Sequence, residues 1–211
     1  MNPSPPVPSA DLVGPAIEQV IHTRRSALAF ADRDIDDQVL ARLFDAARWS
    51  ASSSNEQPWR FLVVMRRDEA AFASLVSALA PGNAAWAARA PVLVLTAARR
   101  EFESRPRPNR HAGYDLGQSA ATLTLTAAAF GLATHQMAGF DPDLARQLFT
   151  IPDEFELYSV IALGHPGEIE SLSEALVTRA RATPTRRSLE SVVWSGAWGT
   201  PAAFAQRGPR D

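Results

Sequence analysis

Apolar residues recur along the chain in two rhythms. Ile17, Val20 and Ile21 fall at helical spacing ahead of "HTRRSALAF" (22–30), and Ile35, Val39, Leu43 and Ala47 recur every four residues after it. The spacing predicts two amphipathic helices flanking an arginine pair. Asp34 or Asp36 can cap the second, and Trp49 and Ser50 stand where it should stop. "WRFLVVM" (59–65) is short, unbroken and rich in β-formers, the pattern of a strand covered on both faces.

Phe72, Leu75, Val76 and Leu79 predict a helix ending at Pro81-Gly82, with Asn83 capping a short helix through Trp86. "PVLVLTA" (91–97) and "LYSVIALG" (157–164) read as two further buried strands, and Asp141-Pro142 opens a helix between them. Residues 98–110 carry charge and proline without an apolar period, which predicts a mobile loop and a candidate lid. Leu116 to Phe140 holds no charged residue, but Gln118, His135, Gln136 and the interrupting Gly131 favour a buried helix followed by a strand over a membrane span. Helices alternating with short strands predict one domain of α+β or α/β class. The expected organisation is a Pro-rich disordered tail at 1–13, a folded domain at 14–195 and a C-terminal extension at 196–211.

Composition narrows the chemistry. The formal net charge of −2 offers no field for nucleic acid or an anionic membrane, so a small molecule or another protein is the expected partner. There is no cysteine, and all 21 basic side chains are arginine. Thiolate nucleophiles, thiolate-held metals, lysine Schiff bases and the P-loop lysine are thereby excluded. Demanding chemistry would need a bound cofactor. The first ten residues lack the basic start and apolar centre of a signal peptide, and a cytoplasmic location is expected.

None of the four histidines, His22, His111, His135 and His165, stands at metal-ligand spacing from another, so no metal is expected. The G-x-S-x-G turn of a serine hydrolase is absent. Arg24 and Arg25 lie between a helix end and Ser26, where guanidinium groups, a hydroxyl and backbone N–H groups can surround a phosphate. In "SASSSNEQPWR" (50–60), Ser52, Ser53, Asn55 and Gln57 supply donors and acceptors in a turn held still by Trp59. Such a turn suits a flat heteroaromatic ligand, and equally a hydrogen-bonded helix–strand junction.

Five stretches in order carry a resemblance: "HTRRSALAF", "LARLFDAARWSASSSNEQPWRFLVV" (40–64), "AAFGLATHQMAGFD" (128–141), "VIALGHPGE" (160–168) and "TRRSLESVV" (185–193). Together they resemble the motifs of the nitroreductase family of FMN-dependent oxidoreductases. The resemblance spans about Ala16 to Val193, is strongest over Thr23 to Val64 and is weak between Arg66 and Arg110. It implies an α+β fold, a mostly antiparallel central sheet flanked by helices, and a homodimer with shared sites.

Carried over, the resemblance places Arg24, Ser26 and Arg186 on the FMN phosphate and Arg25 beside the ribityl or pyrimidine side. Ser52, Ser53 and Asn55 would reach the flavin across the dimer interface, Gln57 is a further cofactor contact, and Met137, Ala138 and Gly139 would run along the ring. Leu28 falls among these contacts where the family usually has a cation, Ala51 replaces a proline, and Ala138 and His165 replace a glutamate of some members and a common tyrosine. The implied activity is hydride transfer from NADH or NADPH through flavin N5 to a nitroaromatic, quinone or similar electrophile, with no protein acid or base. Flavin breakdown, reductive dehalogenation, and flavin binding without turnover are the alternatives within the same fold.

Overall fold

A computed structural model of the chain describes residues 10–103, 105 and 107–207. It divides into two compact units, one ending at Ala180 and one running from Arg181 onward. The first unit is built on a four-stranded sheet of β1 (Trp59–Met65), β2 (Val92–Arg99), β3 (Ala133–Met137) and β4 (Phe155–Gly164). The strand order is β1-β2-β4-β3 and every pairing is antiparallel.

Alternation along the strands makes two cores, one on each face of the sheet. Leu93 and Leu95 of β2, with Val160 and Ala162 of β4, join a cluster containing Phe72, Leu75 and Trp86. These come from α3 (Glu69–Ser77) and α4 (Pro81–Ala87), beside which α6 (Pro142–Phe149) adds Ala145. Val92, Val94, Ile161 and Leu163 point the other way. They meet Leu40, Leu43 and Ala47 of α2 (Asp37–Arg48) and Ala120, Leu123 and Ala127 of α5 (Ala112–Ala129). Asp36 accepts from Gln38 N–H and Asp141 from Asp143 and Leu144 N–H, so α2 and α6 start where their caps stand.

Several expectations are corrected. The helix α1 spans Ala10–Thr23, so residues 10–13 are helical rather than tail; the dense prolines end at Pro8, and residues 1–9 lie outside the described residues. Asn83 caps nothing: α4 opens on Pro81 at its first turn, where the missing N–H costs nothing, and the Asn83 amide donates to Gly139 O at 2.9 Å. β1 is an edge strand, so both its faces are only partly covered. Segment 98–110 is not a free loop: β2 continues to Arg99, Phe102 and Asn109 are buried, and Glu101 bridges Pro108. Among the described residues, no helix is long and apolar enough to cross a membrane.

α7 (Glu174–Arg181) closes the first unit, its Leu176 packing on the core. The second unit is short 3-10 turns, a bridge between Trp194 and Pro201, and a tilted Trp194–Trp198 ring pair at 4.3 Å. Arg186 and the motif around it belong to this unit, which therefore begins before the extension expected at 196–211.

Candidate active site

The break after α1 builds the first half of the site. Arg24 N–H still donates to Val20 O (3.0 Å), and the chain then turns against the edge strand β3. Ser26 bridges Thr134 in parallel, and Ala27 N–H donates to Thr134 O (3.1 Å). Residues of β3 alternate: His135 and Met137 enter the core around Trp86, while Thr134 and Gln136 face α5. Arg24, Ser26, Thr134 and Gln136, with Ala121, Thr124 and Leu125 of α5, line a cavity of about 290 Å³. Arg24 is half-buried there and makes no ion pair among the described residues. A desolvated guanidinium without a counter-ion is costly unless an anion completes it, so the donor set fits a phosphate.

Arg25 points elsewhere. Its Nη1 donates to His22 O (2.5 Å) and Arg24 O (3.1 Å), closing the C-terminal end of α1, and it lines a neighbouring cavity with Arg24. Leu28, expected among the flavin contacts, is buried in the core beside Phe30. Its side chain does not reach the cavity, because an apolar residue there gains more from the sheet than from a phosphate. Met137 is buried too, leaving only its backbone for a ligand, while Ala138 and Gly139 are exposed. Gly139 has a local reason to be small, since a Cβ would meet Asn83 Nδ2 at 2.7 Å.

The second stretch expected to contact a ligand is the turn after α2. Ser52 Oγ accepts from Gln57 N–H (3.0 Å) and Ser52 O from Asn55 N–H (3.0 Å). Ser54, Asn55 and Gln57 all have positive φ (56°, 56° and 52°), a concentration of strain that costs of order 1 kcal/mol or more at each residue. What holds it is a carboxylate that sequence reading missed. Asp115, 2% exposed in the first turn of α5, accepts Ser53 N–H at 3.0 Å, and Glu56 reaches Glu103 N–H at 2.5 Å. The available signal was a lone acid at the edge of the uncharged Leu116–Phe140 run. Asp115→Leu should cost about 2 kcal/mol by orphaning Ser53 N–H, whereas Asp115→Asn should recover most of it. Urea midpoints and amide exchange over residues 52–57 read both.

His135 has a pKa held below its ordinary 6.5, mainly by burial and further by the charges of Arg179 and Arg24, against the hydrogen bond to Ala27 O, which raises it. The unfolded chain therefore binds a proton at a pH where the fold still resists it. Stability should be full above about 6.5 and fall as the pH drops below it toward the folded value. Urea unfolding between roughly pH 7.5 and 5.5 should show this loss in the wild type and less of it in His135→Asn. Tyr158 is pushed up to about 12 by burial and by its bond to Glu156, and it stays protonated.

The turn carrying Ser52, Ser53, Asn55 and Gln57 does not line the Arg24 cavity. Arg186 belongs to the other unit, where its Nη1 donates to Thr185 O (2.8 Å). Among the described residues, no group of three or more His, Asp or Glu could hold a metal ion. A larger cleft of about 670 Å³ beside the start of α2 contains none of the expected flavin contacts.

Comparison with known proteins agrees with this architecture. A sequence model of the nitroreductase family matches residues 21–165, and the chain belongs to that family. It is 36% identical over 130 residues to an "Uncharacterized 15.4 kDa protein in ask 5'region" of Mycolicibacterium smegmatis, covering 62% of this chain and 86% of that one. It is 32% identical over 151 residues to a candidate NADH dehydrogenase/NAD(P)H nitroreductase of Xanthomonas oryzae pv. oryzae, covering 63% and 76%. A crystal structure described as an oxidoreductase containing FMN superposes with a TM-score of 0.81 at 26% identity, over 93% of this chain and 95% of that one. The fold is nitroreductase-like, and the chain is an oxidoreductase of that class.

Proposed function

We propose that this protein is a cytoplasmic, homodimeric FMN oxidoreductase that takes hydride from NADH or NADPH and passes it to a nitroaromatic, quinone or similar electrophile. The observation that carries the reading is Arg24, half-buried beside Ser26, Thr134 and Gln136 in one cavity and, among the described residues, without an ion pair. The FMN named for the superposed structure and the NAD(P)H named for the Xanthomonas relative support it.

When bound, FMN supplies the hydride-accepting and hydride-donating chemistry. The chain's own residues bind and orient. Arg24 and the Ser26 hydroxyl would hold the phosphate, and the exposed Gln136 amide would supply an uncharged donor at the same wall. Ala138 and Gly139 leave their backbone open to a planar ring. Ser52, Ser53, Asn55 and Gln57 serve the site of the second copy, in keeping with a strained turn that lines no part of its own chain's Arg24 cavity. No side chain is assigned a proton transfer: His135 is neutral and turned into the core.

Purified protein should be yellow with flavin absorbance, bleach anaerobically with NADH or NADPH, and recover colour on addition of a quinone without loss of flavin. Colourless protein that takes up no added FMN would falsify the reading.

A further inference from the structure

The segment that carries Arg24 and Ser26 is fastened to β3 by one backbone bridge and one side chain. Ser26 bridges Thr134 in parallel, with Ala27 N–H reaching Thr134 O at 3.1 Å, and His135 Nδ1 lies 2.8 Å from Ala27 O. Since a carbonyl only accepts, Nδ1 carries the proton and Nε2 is bare. The imidazole lies against the Trp86 ring, centroids 4.4 Å apart and tilted by 34°, and Trp86 in turn stacks on Phe30. Trp86 is fully buried, and among the described residues its Nε1 has no hydrogen-bond partner. His135 therefore joins two environments. One nitrogen holds the segment that lines the cavity, and the ring packs against Trp86 in the core.

We propose that His135 is the positioning residue for the anion-binding segment: its Nδ1–H bond to Ala27 O, braced by Trp86, fixes Arg24 and Ser26 where a phosphate is received. This rests on the FMN reading for the identity of the anion and deepens it by naming what aims the cation. The charged groups that bear on the ring are the guanidinium groups of Arg24 and Arg179, and both disfavour the imidazolium. A phosphate dianion on Arg24 offsets one of them, so ligand binding and His135 titration are linked. Each shifts the other in the same sense.

The test compares His135→Leu, which removes the donor, with His135→Asn, whose amide nitrogen falls near the place of Nδ1. Amide exchange of residues 24–28, measured without flavin, should quicken in His135→Leu and return toward wild type in His135→Asn. The affinity for FMN should fall roughly tenfold in the leucine variant, the scale of one lost hydrogen bond, with riboflavin affinity unchanged and the asparagine variant restored. Unaltered exchange, or equal weakening of FMN and riboflavin, overturns the proposal, the second result marking a merely structural residue. A wild type that binds no FMN instead overturns the flavin reading and the positioning role with it, while exchange still reports whether His135 holds the segment. Should the leucine variant not fold, NMR of the wild-type imidazole decides: its pKa rises on adding FMN, and an unchanged value overturns the proposal.

Discussion

Arg24→Ala is expected to weaken FMN binding about a hundredfold while leaving the unliganded protein as stable as the wild type, or slightly more so. The two halves of that expectation share one cause. Arg24 is half-buried in the cavity and makes no ion pair among the described residues, so part of its hydration is given up without a paired charge in return. Charge-assisted bonds from a guanidinium to a phosphate contribute about 1.5–3 kcal/mol each, and losing the pair they make accounts for the drop. Riboflavin, which lacks the phosphate, should bind both forms alike. Removing the cation should also let the His135 imidazole titrate nearer its ordinary range, since Arg24 is one of the charges holding it down. Fluorescence titration and thermal unfolding measure the two effects separately. A large loss of stability in Arg24→Ala would mean that the guanidinium serves the fold.

The second large effect is on stability. A Cβ built on Gly167 would lie 2.5 Å from the carbonyl carbon of Phe30 and 2.7 Å from its N and O. These are backbone atoms, so no rotamer change relieves the contact. Nor can the two strands of chain separate freely: Gly167 N–H donates to Ala29 O (3.1 Å) and Ala31 N–H to His165 O (3.0 Å), with Phe30 bridging Pro166 between them. Gly167→Ala should cost about 3 kcal/mol, the upper part of the overpacking range. For a chain of this length that is roughly a 6–12 °C fall in Tm. Gly117→Ala is the control. That glycine lies inside α5 with nothing within 4 Å of its missing Cβ, and alanine there should stabilise by about 0.5–1 kcal/mol. Equal shifts in both variants would remove the steric explanation.

The sheet was legible because its strands are short, apolar and bounded. β1 runs from Trp59 to Met65, as the β-forming run predicts; β2 starts one residue late, at Val92, and runs two further, to Arg99, and β4 starts two residues early, at Phe155. Extended edges are what ladder pairing adds, since Ala98 and Arg99 gain partners in Glu156 and Phe155 that no local pattern announces. The acidic caps of α2 and α6 were readable from single residues, because an Asx side chain bonding two or three positions ahead is a local event. Asn83 misled for the opposite reason: its amide is taken by Gly139, 56 positions away.

The site was legible only where its residues act by identity. Arg24 and Ser26 stand out in sequence and do share a cavity, but Thr134, Gln136 and Thr124 join them through the alternation of β3 and the face of α5. Asp115 was invisible as the anchor of the serine turn because its partner is a backbone N–H 62 residues away. Leu28 was misplaced because a motif position says which residue is usual and not which way it points once a leucine stands there. Nothing in the spacing around His135 announced its hold on Ala27, which needed the fold.

The most direct measurement of the central claim is equilibrium fluorescence titration of the wild-type protein with FMN and with riboflavin under one buffer condition. If Arg24 and Ser26 receive a flavin phosphate, FMN binds about a hundredfold more tightly than riboflavin, and added salt narrows the gap. Equal affinities for the two flavins, or binding of neither, would contradict the account.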